Sequence, residues 1–62
     1  MTFYKLYKKL FPNQIIRVFT EHKKQIDIEY EGAAKDIGIN YYNAKIKSIA
    51  ANSDGDIWIE LK

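Results

Sequence analysis

The chain has 62 residues, no cysteine and a formal net charge of +2, and nearly half of its residues are hydrophobic. This length accommodates one small domain, residues 1–62, which buries only about 60% of the surface that its unfolded form exposes. Without cysteine the chain has neither a disulfide framework nor a thiolate metal site, and its hydrophobic content argues against disorder. Because no signal peptide or membrane-spanning run is recognisable, we predict a cytoplasmic protein without membrane contact.

The charge is distributed unevenly along the chain. Residues 1–24 hold six basic side chains against one acidic side chain, whereas residues 25–62 hold four basic against seven acidic. Segregated charge of this kind can attract a polyanion or an acidic partner, and it can also be neutralised inside the fold when oppositely charged strands pair.

Residues 2–11, TFYKLYKKLF, predict an N-terminal helix. Apolar side chains recur at helical spacing, with lysines on the other side; the stripe consists of Phe3, Leu6, Tyr7, Leu10 and Phe11. Thr2 is the expected N-cap, and Pro12 ends the helix. Helices with one basic and one apolar side also resemble membrane-surface and calmodulin-target helices, but a sheet without a covering layer needs this stripe for its core.

Two strands are predicted next, from QIIRVFT and from the strictly alternating QIDIEYE, joined by a loop over residues 21–25. Pairing Val18 with Ile28 aligns the apolar rows of both strands and sets Arg17 opposite Glu29 on the outer side. In this register Ile26 and Ile28 belong to the core.

The remainder of the chain predicts a connection and a second hairpin. Gly38 interrupts any long helix after Gly32, and Asn40 can cap a single turn over residues 41–44. KIKSIAA and DIWIELK are the last two strands, with Ile57, Ile59 and Leu61 facing inward. The predicted fold is therefore α+β: an N-terminal helix on a four-stranded antiparallel sheet, in the order α-β-β-short helix or turn-β-β. A strongly bent version of this sheet would resemble a small barrel.

The stretch NSDGDIWIE resembles the middle of an EF-hand loop. Aligning Gly55 with the loop glycine puts Ala50 and Leu61 at positions where calcium needs carboxylates, so two ligands are missing. A three-residue turn with Gly55 in the left-handed region is the better interpretation. It pairs Ala51 with Ile57 and Ile49 with Ile59, which places Ile49 in the core.

No other residues form a convincing catalytic or metal site. Asp27, Glu29 and Glu31 line one side of a strand, where solvation explains them better than chelation. His22 is the only histidine and lies in a predicted loop, and no serine, threonine or cysteine lies in a nucleophile motif. We therefore predict a protein that is not an enzyme and that needs no metal and no cofactor.

A surplus of apolar side chains indicates an interaction surface. If the apolar side chains on one side of the sheet pack under the helix, Ile15, Phe19 and Trp58 point to the opposite side. A single helix cannot cover both sides. Residues 40–45 can fold over that side with Tyr41 and Tyr42 as its lid, or the side is exposed and binds a protein partner. The candidate interface residues are Ile15, Phe19, Trp58, Tyr41 and Tyr42.

Nucleic-acid binding is the alternative function. Lysines can neutralise phosphates while nearby tyrosines stack on bases; the candidate contacts are Lys5, Lys8, Lys9, Arg17, Lys23 and Lys24. The chain has no helix-turn-helix, no GXXG loop and no aromatic ribonucleoprotein motif, and its acidic strand lies next to the basic one.

The segment YEGAAKDIGINYYNAKIKSI, followed by a closing hairpin, resembles small uncharacterised proteins from phages and mobile elements of Gram-positive bacteria. The resemblance covers residues 14–62. It implies a small α+β domain with an accessory or regulatory role, and no catalytic residue or ligand. The function predicted from the sequence is a non-enzymatic protein-interaction module that associates with itself or with another protein.

Overall fold

One short helix and four strands make up the computed structural model, which describes residues 1–62. The elements are α1 (Phe3–Tyr7), β1 (Ile15–His22), β2 (Gln25–Ala33), β3 (Ile46–Ala51) and β4 (Ile57–Leu61), with two 3₁₀ turns at Ala34–Asp36 and Ile39–Tyr41 between β2 and β3. The predicted α+β class is confirmed. The second turn begins after Gly38 and not after the predicted cap Asn40, so it overlaps the predicted turn over residues 41–44 only at Tyr41.

The sheet is mixed, which corrects the purely antiparallel sheet predicted from the sequence. Its strand order is β2-β1-β4-β3. Each hairpin is antiparallel, but the two hairpins meet along β1 and β4, which run parallel. Because β2 and β3 remain at the two edges, the sheet is open and does not close into a barrel.

The strand order places the two strands with buried side chains in the centre. Ile16, Val18, Ile59 and Leu61 on β1 and β4 are buried, whereas the edges are the acidic β2 and the lysine-bearing β3. Charged side chains on edge strands discourage pairing with other chains. This arrangement needs the long connection across residues 34–45, which carries the chain from one edge of the sheet to the other.

The first hairpin is tighter than predicted and has a different register. Lys23 and Lys24 both have positive φ and form a two-residue turn between His22 and Gln25, in place of the predicted loop over residues 21–25. Positive φ at both positions is typical of the turn that matches the twist of a hairpin.

A β-bulge in β2 moves two isoleucines to the other side of the sheet. Val18 pairs with Tyr30 and Phe19 with Ile28, so Glu29 is the extra residue. Ile26 and Ile28 therefore share a side with Phe19 and are 53% and 50% exposed. The prediction that they belong to the core is wrong, because strict alternation cannot reveal a bulge that inverts the pattern.

The second hairpin follows the predicted register. Ala51 pairs with Ile57 and Ile49 with Ile59, the Asn52 amide donates to the Asp56 carbonyl at 2.8 Å, and Gly55 has a φ of +90°. Ile49 nevertheless remains about half exposed at the sheet edge, because the short helical layer does not reach it.

The N-terminal helix is shorter than its apolar stripe. It ends at Tyr7, and Phe11, predicted to be the last residue of the stripe, is 81% exposed. Thr2 precedes the helix but makes no side-chain cap. The helix is held instead by the chain beside it: the Phe3 and Tyr4 amides donate to the Ala44 and Tyr42 carbonyls at 2.7 and 2.9 Å.

The core lies between α1 and one side of the sheet, here called the covered face. Phe3 is its centre and has no accessible surface. The other buried side chains are Ile16, Val18, Ala34, Ile37, Ile59 and Leu61, with Leu6, Tyr7, Leu10, Tyr30, Tyr41 and Tyr42 among those packed around them. The core is small, as expected for a chain of this length.

Candidate interaction surfaces

The side of the sheet that points away from α1 has no second layer. Successive residues of a strand point to opposite sides, so burial of Ile16 and Val18 against Phe3 turns their neighbours outward. We call this side the open face; its residues are Ile15, Arg17, Phe19, Ile26, Ile28 and Trp58. The thickness of the molecule, 17 Å along its shortest axis, fits one sheet with a single covering layer.

Trp58 lies at the centre of the open face. Its ring meets Phe19 edge to face with 5.7 Å between centroids, and the Arg17 guanidinium carbon lies 4.6 Å from its ring centroid. Arg17 also forms an ion pair with Glu31 on β2. The guanidinium is thus held between a carboxylate and the ring, which fixes the orientation of the tryptophan.

Phe19, Ile28 and Ile26 extend the apolar surface from Trp58 towards the β1–β2 turn. Ile28 is the cross-strand partner of Phe19, and Ile26 is the partner of Glu21. The sequence pattern missed both isoleucines as members of this surface. Only the bulge places them here, and the alternating pattern of β2 contains no signal for it.

Polar groups border the open face on the β3 side. Glu60 accepts a hydrogen bond from the Ser48 hydroxyl at 2.9 Å and pairs with Lys47 at 3.6 Å. The predicted pair between Arg17 and Glu29 is replaced by the pair with Glu31 because of the bulge in β2. Charges of both signs therefore surround the apolar centre.

Tyr41 and Tyr42 do not cover the open face. Both pack against the core on the covered face, where the Tyr42 ring lies 5.0 Å from that of Tyr4 and 5.1 Å from that of Tyr7. The Tyr41 hydroxyl donates to the Glu29 carbonyl at 3.1 Å. Of the two arrangements left open by the sequence, the structure has the one in which Ile15, Phe19 and Trp58 stay uncovered, and it separates them from Tyr41 and Tyr42.

The six basic residues proposed as nucleic-acid contacts do not form one surface. Lys5, Lys8 and Lys9 belong to α1 and the turn after it, Arg17 lies on the open face, and Lys23 and Lys24 are at the tip of the first hairpin. Two of the six lie over an aromatic ring, and on different surfaces: the Lys8 amino group is 5.2 Å from the Tyr4 centroid in the helical layer, whereas Arg17 contacts Trp58 on the open face.

The acidic residues are likewise dispersed. No three histidine, cysteine, aspartate or glutamate side chains converge on one point, and the surface has no pocket. In the second hairpin the Asn52 side-chain oxygen accepts from the Asp54 amide at 3.0 Å, which is the hydrogen bond expected of a turn residue. His22 is exposed at the end of β1.

The chain matches no family model, no curated protein and no solved structure. The resemblance of residues 14–62 to small phage and mobile-element proteins therefore stays a prediction. None of the helical segments combines the length and the apolar character needed to cross a bilayer.

Proposed function

We propose that this chain is a non-enzymatic protein-interaction module that binds through its open face, and that its partner there is a second copy of the chain. The observation that carries the proposal is the uncovered surface around Trp58, with Phe19, Ile28 and Ile26 beside it. An accessory role of the kind implied by the resemblance to phage proteins is compatible with such a module.

The composition of the open face supports protein binding. Tryptophan and arginine are the residues most often found at the energetic centres of protein interfaces, and here they lie in contact. The contact also restricts both side chains before a partner arrives, so less conformational entropy is lost on binding. The charged border formed by Glu31, Glu60 and Lys47 matches the usual arrangement of an apolar centre and a polar rim.

A second copy is the partner that best fits this surface. Two sheets pack face to face at about 10 Å, with their side chains interdigitated. In a two-fold dimer the same surface meets itself, so the apolar centres are buried together while the acidic and basic groups of the border can find opposite charges. Burial of Trp58 and Phe19 would also enlarge a core with only seven buried residues.

Sedimentation analysis of the wild type and of Ile28→Glu tests the proposal, from micromolar to near-millimolar protein. The wild type is expected to dimerise, with Trp58 emission shifting to shorter wavelength as the dimer forms. Ile28→Glu places a charge within the apolar surface that the dimer would bury and should remain monomeric. Ile39→Glu is the matched control because Ile39 is 78% exposed and lies in the connection between β2 and β3, not on a strand of the sheet.

Two results would overturn the proposed self-association. The wild type could stay monomeric over the whole concentration range, or Ile39→Glu could weaken the dimer as much as Ile28→Glu does. Circular dichroism spectra of both variants must match the wild type, which is expected since both residues are already exposed.

A further inference from the structure

The helical layer carries a second surface, which is independent of the open face. Tyr4 and Tyr7 are three residues apart on α1 and so lie on neighbouring turns. The backbone hydrogen bond between Tyr4 and Tyr42 brings the third ring beside them. The three centroids are separated by 5.0, 5.1 and 6.3 Å. We call Tyr4, Tyr7 and Tyr42 the tyrosine cluster.

Tyr4 is the exposed ring of the tyrosine cluster, whereas Tyr7 and Tyr42 are partly buried against the core. Phe3 beneath it fills the core completely, yet Tyr4 remains 42% exposed and makes no part of the core. A side-chain hydrogen bond with Tyr7, followed by burial, raises the pKa of Tyr42. Tyrosine side chains are uncharged at neutral pH, so the cluster does not repel an anion.

Positive charge is concentrated in the layer that carries the cluster, and the Lys8 amino group lies 5.2 Å from the Tyr4 centroid. The covering layer, residues 1–14 and 34–45, holds five lysines against the single acidic residue Asp36, whereas the strands and hairpins hold five basic residues against seven acidic ones. The five lysines are Lys5, Lys8, Lys9, Lys35 and Lys45. None of them forms an ion pair, since the salt bridges of the chain are those of Arg17 and Lys47.

We propose that the tyrosine cluster and the lysines beside it bind single-stranded nucleic acid. Unpaired bases stack on the Tyr4 ring and its neighbours, while Lys5, Lys8 and Lys9 contact the phosphates. This surface is smaller than the one predicted from the sequence, because it excludes Arg17, Lys23 and Lys24.

Other occupants fit this surface less well. A duplex groove is read by a longer helix than the five residues of α1, and paired bases cannot stack on a tyrosine. A cationic ligand would be repelled by the lysines. Membrane insertion needs an exposed apolar stripe, but Phe3 and Leu6 of α1 are used in the core.

The proposal can be tested by fluorescence anisotropy with labelled oligothymidylate and oligouridylate of about twelve nucleotides. The salt concentration should be about 50 mM, where lysines bind phosphates strongly. Tyr4→Leu should weaken binding by about fivefold or more, because leucine offers no ring on which a base can stack. It should leave the salt dependence unchanged, because leucine removes no charge.

Two double variants with the same change of net charge locate the lysines that bind phosphate. Lys5→Gln with Lys8→Gln should weaken binding and lower the slope of log affinity against log salt by about 0.7 for each phosphate that is no longer neutralised. Lys23→Gln with Lys24→Gln, at the distant hairpin tip, should change affinity by less than about twofold. All of these side chains are exposed, so the variants should fold, as thermal melts can verify.

Three outcomes would overturn the proposal: no binding of either oligonucleotide at low salt, equal weakening in the two lysine variants, or equal affinity for a duplex of the same length. Ile28→Glu should bind the oligonucleotides as the wild type does, so failure of this proposal and failure of the open-face interface are separate results.

Discussion

The two faces of the sheet are built from the same strands and differ in what lies against them. On the covered face Ile16, Val18 and Ile59 meet Phe3 and have no accessible surface. On the open face Ile15, Phe19 and Trp58, which alternate with them along β1 and β4, stay partly accessible. Residues of similar hydrophobicity are thus buried or exposed according to the layer that meets them. Stability should depend on the covered face, and association on the open face.

Truncation at the centre of the covered face should have the largest effect on stability. Phe3→Ala removes the side chain that fills the core and is expected to cost about 3–5 kcal/mol, the usual range for a buried phenylalanine. A domain this small is only marginally stable, so the variant should be largely unfolded at room temperature by circular dichroism.

Phe11→Ala is the matched control for Phe3→Ala. The same chemical change at an 81% exposed position should alter the free energy of unfolding by less than about 0.5 kcal/mol in urea titrations. If both variants lost equal stability, α1 would extend to Phe11, as the sequence pattern suggested.

Adjacent isoleucines on β1 compare the two faces directly. Ile16→Ala should lose about 2–5 kcal/mol of unfolding free energy because Ile16 is buried against Phe3. Ile15→Ala, one residue earlier and on the open face, should lose less than about 1 kcal/mol in the monomer. Urea denaturation at low micromolar protein measures both without a contribution from dimers. A reversed order would mean that the open face is the real core.

Gly55 sets the register of the second hairpin and thereby decides which side chains of β4 reach each face. Its substitution should reduce stability less than the core truncations do. Its φ of +90° is unfavourable for any residue with a Cβ, although no other atom lies close enough to clash. Gly55→Ala should therefore destabilise the hairpin by about 1–2 kcal/mol through the backbone alone. Ser53→Ala in the same turn should be nearly neutral. An unchanged melting temperature for Gly55→Ala would contradict the assigned turn.

The smallest expected effect is a change in pH dependence at the margin of the covered face. Burial, followed by the charge of Asp36, raises the pKa of Tyr30 above its usual value of 10.0. As the pH rises, the Tyr30 hydroxyl therefore loses its proton in the unfolded chain before it does so in the folded chain. The contribution of Tyr30 to the free energy of unfolding is fully present below about pH 10, and it is lost as the pH rises through the pKa of the folded state.

Tyr30→Phe should remove that part of the pH dependence. Its free energy of unfolding should fall less than that of the wild type as the pH rises above about 10, measured by urea denaturation at each pH. At neutral pH the variant should be slightly less stable, because the Tyr30 hydroxyl donates to the Ala33 carbonyl at 2.6 Å. Parallel pH curves for the two proteins would show that Tyr30 has the same pKa in both states.

The second hairpin could be predicted because its information is local. Asn52, Asp54 and Gly55 specify the turn by their own conformational preferences, and the turn fixes the register of Ile49 and Ile57. The separation of Phe19 and Trp58 from the buried residues follows equally from alternation along their strands.

The first hairpin could not be predicted in the same way. A turn of Lys23 and Lys24 at positive φ has no preference recognisable in the residue types, and the bulge at Glu29 depends on how β2 meets its neighbours. One inserted residue moved Ile26 and Ile28 from the predicted core to the open face. The Tyr41 hydroxyl that binds the Glu29 carbonyl comes from a distant part of the chain.

The sequence by itself determined the α+β class, the existence of four strands, the closing turn and the apolar surplus around Trp58, because each follows from periodicity or from the conformational preferences of a few adjacent residues. Only the tertiary structure decided that β1 and β4 run side by side and parallel, that Tyr42 joins Tyr4 and Tyr7, and that no segment covers Trp58. Those features depend on interactions between residues far apart in the chain. Several segments could pack on the same surface, and the choice between them is not encoded in a local sequence pattern.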